Sequence, residues 1–532
     1  MAAETNTMAV TGQAYVRTEM LAERAPPASE GGVLGWMRKN LFSSWFNTLL
    51  TFIAIYILWI IFPPLIQFGI IDAVWSDPDG LKREVCTNAE QGGLQPSGWF
   101  GACWPYVAAN MKLFIYGRYP ASELWRVDIT YFLFFATLIP LLIPSVPFKK
   151  LNAVLFFVVF PVAAFVLLTG GGEGSGAGTY YALAILAALG LVLAYALAPT
   201  RSESMRGPVA RVGLALVTAL VVWAILGLGT YAINELLGLV GFDGTRNSWF
   251  GDIQWWLYPA LGVAAGVAAA LTTNAADTKG LAETLAPLFI VLAAFCIGLA
   301  ALLLVMSIPY GLTHVETNVW GGLLVTLVIA VTGIVASLPL GVLLALGRRS
   351  QMPAVKLLSV VFIEFWRGVP LITVLFMSSV MLPLFLPAGT EFDKLLRALI
   401  GVALFTAAYM AEVIRGGIQA LPKGQYEGAM ALGLTYWQMM RMIILPQALT
   451  LVIPGIVNSF ISLFKDTTLV LIIGLFDFLG QMQSTFTNPT WASPVQSLTG
   501  YLFAALIFWA FCFSMSRYSL FVEKRLDTGH KS

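Results

Sequence analysis

The sequence predicts an all-α integral membrane protein of about twelve transmembrane helices, and three observations lead there. The chain is 58% hydrophobic and only 11% charged, with a mean hydropathy of +0.81, where a soluble protein carries about 25% charged residues. Apolar runs of roughly 20 residues recur along it, and only a helix satisfies its own backbone hydrogen bonds in lipid. Basic residues concentrate in alternate connections between these runs, the pattern of a chain that threads a membrane repeatedly.

The runs lie near 46–71, 127–146, 152–169, 180–198, 212–234, 255–273, 285–307, 319–347, 357–386, 396–415, 447–475 and 498–518. The run near 447 is too long for one straight crossing. Residues 1–45 are read as a cytoplasmic tail: they are polar, mixed in charge, and lack the apolar run and small-residue cleavage site of a signal peptide. The inner connections then hold Lys149 and Lys150, Arg201, Arg206 and Arg211, Lys279, Arg348, Arg349 and Lys356, and Lys423 with Arg441. Lys524 and Arg525 precede a second cytoplasmic tail, 526–532. The short outer connections 170–179, 308–318 and 476–497 hold no Lys or Arg, so both termini are expected on the cytoplasmic side.

Residues 46–169 form a three-span block with one long outer loop, 72–126. This loop carries Cys86 and Cys103, a possible disulfide if the loop faces an oxidising compartment. Its Trp and Tyr residues suit interfacial anchoring, with a docking surface for an external partner as the alternative. The Gly-rich stretch "TGGGEGSGAGTY", 169–180, is a linker. It leads into a block, 170–314, of four Ala/Leu/Val spans with few charges, the composition of plain helix packing. The two histidines and four cysteines show no metal-binding spacing, so no metal site is expected.

From residue 315 the character changes, because polar groups recur at membrane depth, where they are costly and normally face a bundle interior or an aqueous path. "FIEFWRGVPL" sets Glu364 and Arg367 three residues apart. A self-neutralising intrahelical pair is the favoured reading and a place in the pathway the alternative. "AYMAEVIRGG" repeats the spacing with Glu412 and Arg415 near an inner end, where Arg can snorkel. "NSFISLFKDTTL" gathers Asn458, Lys465, Asp466 and Thr467 after Pro454. Broken helices of this kind hold substrate in transporters, and the pathway and structural readings stand level.

Between two spans lies "YEGAMALGLTYWQMMRMIILP", 426–446, too polar to cross a bilayer. Gly433 suits the left-handed residue that ends a helix. Thr435 and Gln438 have the spacing of a capping box, and Pro446 falls where the segment hands over to the next span. The expectation is two short helices at an angle on the cytoplasmic face. Their outward faces would hold Glu427, Met430, Tyr436 and Met439, a surface suited either to docking in a groove or to lying on the membrane.

The spacing of Glu427, Gly428, Ala429, Gly433, Ile443, Leu445 and Pro446 resembles the EAA coupling loop of ATP-binding-cassette (ABC) import permeases, with Gly428 in place of the usual first alanine. The flanking "GGLLVTLVIA", "FIEFWRGVPL", "ILPQAL" and "NSFISLFKDTTL" resemble the polar amino-acid branch of that family. "NLFSSWFNTLLT", "GACW" and "GRYPASELWRV" resemble more loosely the M-type permease subunit of general L-amino-acid transporters.

The resemblance implies a five-helix MetI-like permease core within 315–525, its coupling loop at 416–446, and 170–314 as an inserted block. It further implies a homologous permease subunit, two ATPase subunits that bind ATP and Mg, a periplasmic amino-acid-binding protein, and a place in the bacterial inner membrane. Glu364, Arg367, Asn458, Lys465, Asp466 and Thr467 are the expected pathway residues. The chain has no GxxxxGK[ST] phosphate loop, so hydrolysis is expected in a partner, and no cofactor or nucleic acid is expected here. The rival reading is a stand-alone secondary transporter or channel, whose internal repeats the two halves of this sequence do not display. A membrane enzyme would need a nucleophile–base or metal constellation that the sequence lacks.

Overall fold

A computed structural model describes residues 32–171, 311–381 and 393–526, with isolated positions between 297 and 310 and at 384. Among the described residues the secondary structure is helical, with only isolated β-bridges. A short helix, α1 (Gly32–Asn40), precedes the first span, α2 (Trp45–Ile71). Then come α3 (Trp104–Tyr116), α4 (Ala121–Leu142) and α5 (Lys149–Thr169). The C-terminal half contributes α6 (Gly322–Arg348), α7 (Pro353–Gly368), α8 (Leu371–Met381) and α9 (Lys394–Ala420). It continues with α10 (Lys423–Ala431), α11 (436–451), α12 (Ile453–Ile473), α13 (Phe478–Ser484) and α14 (Gln496–Leu526).

Seven of these helices are long and apolar enough to cross a membrane, and α7 with α8 makes an eighth candidate as a bent pair. They correspond to eight of the twelve expected runs. The runs at 180–198, 212–234, 255–273 and 285–307 fall, but for isolated positions, outside the described residues.

Two expected spans are not straight. The run at 357–386 bends by 102° between α7 and α8. Val369 is extended there (φ −108°, ψ 134°), as expected of a residue forced out of the helical region by the following Pro370. The long run near 447 breaks at Val452, and the chain resumes as α12 with Pro454 in its first turn.

Two compact units can be distinguished. The first comprises residues up to Met111 together with Met482–Phe511. Within it Cys86 and Cys103 are joined by a disulfide, their Cα atoms 5.6 Å apart. Backbone bonds run from Ala102 N to Phe68 O at 2.8 Å and from Val74 N to Ala102 O at 2.8 Å, drawing the loop back over the end of α2. Gly101 is required there, because a Cβ would sit 1.9 Å from the Asp72 carbonyl.

The second unit comprises Lys112–Gln481 and Cys512 onward. Its centre is the packing of α6 on α9. Small residues permit the approach: a Cβ at Gly341 would lie 2.7 Å from the Met410 side chain and 3.2 Å from the Ala411 backbone. One apolar cluster gathers Leu324, Ile329, Leu375, Ala398 and Leu463. Another gathers Ile363, Met410, Ile414, Ile418 and Ile444, and onto it α10 is set through Ala429.

Candidate functional site

The elbow is built from local chemistry. The helix α10 ends in a paired-bond stop: Leu434 N donates to Ala429 O at 3.3 Å and Gly433 N to Met430 O at 2.9 Å, with Gly433 at φ +71°. This is the Schellman arrangement, which needs a residue tolerant of the left-handed region. Two residues later Thr435 starts α11 with a complete capping box. Gln438 N donates to the Thr435 hydroxyl at 3.4 Å, and Thr435 N donates to Gln438 Oε1 at 3.0 Å.

The second half of the elbow differs from expectation. Rather than a separate short helix, Tyr436–Met439 runs through a π turn, Met440–Ile444, into the helical stretch that carries Pro446. A proline lacks an N–H and crowds the carbonyl four residues back, and the widened turn accommodates it. The turn packs down on the Ile444 cluster, so Met439 is buried rather than outward. The exposed residues include Glu427, Gly428, Met430, Leu432, Tyr436, Trp437 and Met442, while Ala429 is the one buried residue of α10. Ile443 and Leu445 are half-buried against the cluster. Beside α10 a pocket of about 380 Å³ is lined by Arg349, Ile418, Gln419, Leu421, Lys423, Tyr426, Glu427 and Met430.

An ion cluster stands at the ends of three helices. Glu412 Oε1 lies 2.7 Å from Arg348, and its Oε2 lies 2.7 Å from Arg415 and 3.9 Å from Arg367. Arg348 also holds Glu364 at 2.9 Å. The pair expected between Glu412 and Arg415 is therefore present. The one favoured between Glu364 and Arg367 is not: Glu364 turns to α6 and Arg367 to α9, with the Arg367 guanidinium 5.7 Å from the Tyr409 ring centre. Three guanidiniums thus face two carboxylates. Sequence reasoning counted Arg348 only as a loop charge, because its partner is 64 residues away.

The "NSFISLFKDTTL" residues divide. Asn458, Ser462 and Lys465 are exposed and recur at helical spacing on one face of α12. Asp466 is half-buried, and no ion pair joins it to Lys465 among the described residues. Thr467 is 1% exposed and its hydroxyl donates to the Phe464 carbonyl at 2.8 Å, so it serves its own helix rather than an open face. Outside the spans, burial pushes the Asp477 carboxyl up to about 6, partly opposed by the Gly480 and Leu479 N–H groups it accepts at 2.9 and 3.2 Å.

These features define a multi-pass helical membrane protein with a polar elbow set between two of its spans. Residues 337–528 match the family described as "Binding-protein-dependent transport system inner membrane component". The chain is 38% identical over 515 residues to the inner membrane amino-acid ABC transporter permease protein YhdY of Escherichia coli (strain K12), with 96% of this chain and 99% of that relative covered. It is 40% identical over 522 residues to the glutamate/glutamine/aspartate/asparagine transport system permease protein BztC of Rhodobacter capsulatus, covering 97% and 99%. A solved structure described as an amino acid ABC transporter with histidines matches 38% of this chain and 92% of that one, at 29% identity and a TM-score of 0.34. The chain belongs to the amino-acid ABC transporter permeases.

Proposed function

We propose that this chain forms the amino-acid translocation pathway of an ATP-driven importer together with a homologous permease subunit. Two cytoplasmic ATPase subunits, which bind ATP and Mg, seat on the coupling loops of the two permease subunits, 416–446 in this chain, and a periplasmic binding protein delivers the amino acid. Both termini are cytoplasmic and the membrane is the bacterial inner membrane. The disulfide in the 72–126 loop suits a periplasmic position for that loop. The name of the BztC relative supports glutamate, glutamine, aspartate and asparagine as the class of cargo.

The observation that carries the coupling assignment is the exposed elbow. The elbow, fixed by defined stops, presents Glu427 and Met430 of α10, Leu432 at its end and Trp437 of α11 to the outside, while α10 is anchored through Ala429. A membrane protein that leaves a charged and aromatic helix face open beside a pocket has a surface suited to a partner groove.

The polar groups along the spans are the pathway. Asn458 and Lys465, exposed on α12, together with Glu364 and Arg367 of the ion cluster, give an amino acid's carboxylate and ammonium groups complementary charge, and Asp466, next to Lys465 in the chain, is half-buried. Thr467 is the weakest member, since its hydroxyl is already used.

The test is Glu427→Lys in the assembled transporter. Loss of both ATPase copurification and ATP-driven uptake in proteoliposomes is the expected result. Survival of both, or ion-gradient-driven uptake by the purified chain alone, would sink the ATP-coupled reading.

A further inference from the structure

One side chain, Tyr426, touches the ends of both α9 and α6, the helices that share Glu412 and Arg348. Its hydroxyl donates to the Ile418 carbonyl at 3.1 Å. That carbonyl belongs to the last turn of α9, where helix carbonyls have no partner within the helix, so the phenol acts as a cap. From the other side Arg349 Nη1 donates to the same hydroxyl at 3.2 Å, and its guanidinium carbon lies 5.6 Å from the ring centre. Arg349 follows Arg348 directly, and Arg348 binds Glu412 at 2.7 Å and Glu364 at 2.9 Å. One peptide bond therefore separates the contact on α10 from the clasp that joins α6, α7 and α9.

We propose that Tyr426 and Arg349 are the positioning pair through which displacement of α10 reaches the Glu412 ion cluster. The proposal rests on the reading of α10 as the ATPase contact. Hydrogen bonds of this length are lost within less than an ångström of separation. A pull on α10 thus either carries the ends of α6 and α9 with it or breaks both contacts of the phenol. When the helix ends follow, Arg348 is the moving part. Glu412 keeps Arg415 on its own helix and the longer contact to Arg367 of α7, whereas Glu364 gives up its 2.9 Å partner, and α7 is released from α6 at this level. Each contact alone is ordinary for a membrane-protein surface. Their convergence on one residue, next to Glu427 and one step from the cluster, distinguishes this pair.

The test uses the complete transporter in proteoliposomes, with ATP hydrolysis and amino-acid uptake measured on the same preparation. Tyr426→Phe keeps the ring and its stacking but removes both hydroxyl bonds. The expected result is unchanged ATPase attachment and hydrolysis with roughly tenfold fewer amino acids carried per ATP. Arg349→Lys, which keeps the charge without the planar fork, is expected to fall between wild type and Arg349→Gln. A wild-type ratio of uptake to hydrolysis in both Tyr426→Phe and Arg349→Gln would overturn the proposal. Loss of ATPase attachment in Tyr426→Phe would overturn it too, since the residue would then belong to the docking surface. A wild-type chain that holds no ATPase overturns this proposal and the reading of α10 together, and is recognised before any variant is made.

Discussion

Gly428 and Gly433 sit five residues apart in the elbow and answer opposite questions. Both are exposed, and a Cβ built at either meets no atom within 4 Å. Any difference between their alanine variants therefore comes from the backbone and not from a clash. Gly428 lies inside α10, where its carbonyl accepts from Leu432 N at 3.2 Å. Alanine there removes a glycine from an exposed helix interior, a change of about 1 kcal/mol in favour of the helix. Gly433 holds φ +71°, and alanine there costs about 1–2 kcal/mol for the left-handed region. Hydrogen exchange of the α10 amides in the purified chain reads both. Protection should rise roughly fivefold in Gly428→Ala and fall by at least as much in Gly433→Ala. Lower protection in Gly428→Ala, or changes of the same sign in the two variants, would refute the description of α10 as a helix with a left-handed stop. In the assembled transporter Gly428→Ala should also retain uptake.

Removing the disulfide with paired Cys86→Ser and Cys103→Ser changes should destabilise the outer loop by about 3 kcal/mol, as expected for cysteines 17 residues apart, and proteolysis of the 72–126 loop should accelerate accordingly. For Asp477, burial raises the folded carboxyl from 3.8 to about 6, so the folded chain binds the extra proton. Its contribution is therefore full below about pH 4 and is lost as pH rises through about 6. Thermal unfolding of the wild type should show this decline between pH 4 and 6, and Asp477→Asn, which cannot ionise, should flatten that part of the profile.

What could be read from the sequence follows how local each interaction is. The Schellman stop at Gly433 and the Thr435–Gln438 box involve residues within five positions of each other, and both are as expected. The eight spans among the described residues were legible because lipid imposes one requirement on every residue of a run. The ion cluster was not, since Arg348 reaches Glu412 across 64 residues and no local rule says which helices will meet. The i,i+3 spacing of Glu364 and Arg367 matched that of Glu412 and Arg415, yet only the second pair closed, because α6 offers Glu364 a nearer guanidinium. Met439 misled for a related reason. Its orientation depends on the π turn Met440–Ile444 that begins at the next residue, and such turns leave no reliable mark in composition.

The helix α2 buries no side chain between Trp45 and Ile66. Among the described residues, then, its place in the bilayer rests on its own partition into lipid rather than on packing. The stretch is equipped for that, since no Asp, Glu, Lys or Arg occurs from Trp45 to Ile71. A lysine placed near its middle would cost about 3 kcal/mol of insertion free energy. The first span thus depends for its place in the membrane on its own apolar length rather than on packing against the described helices.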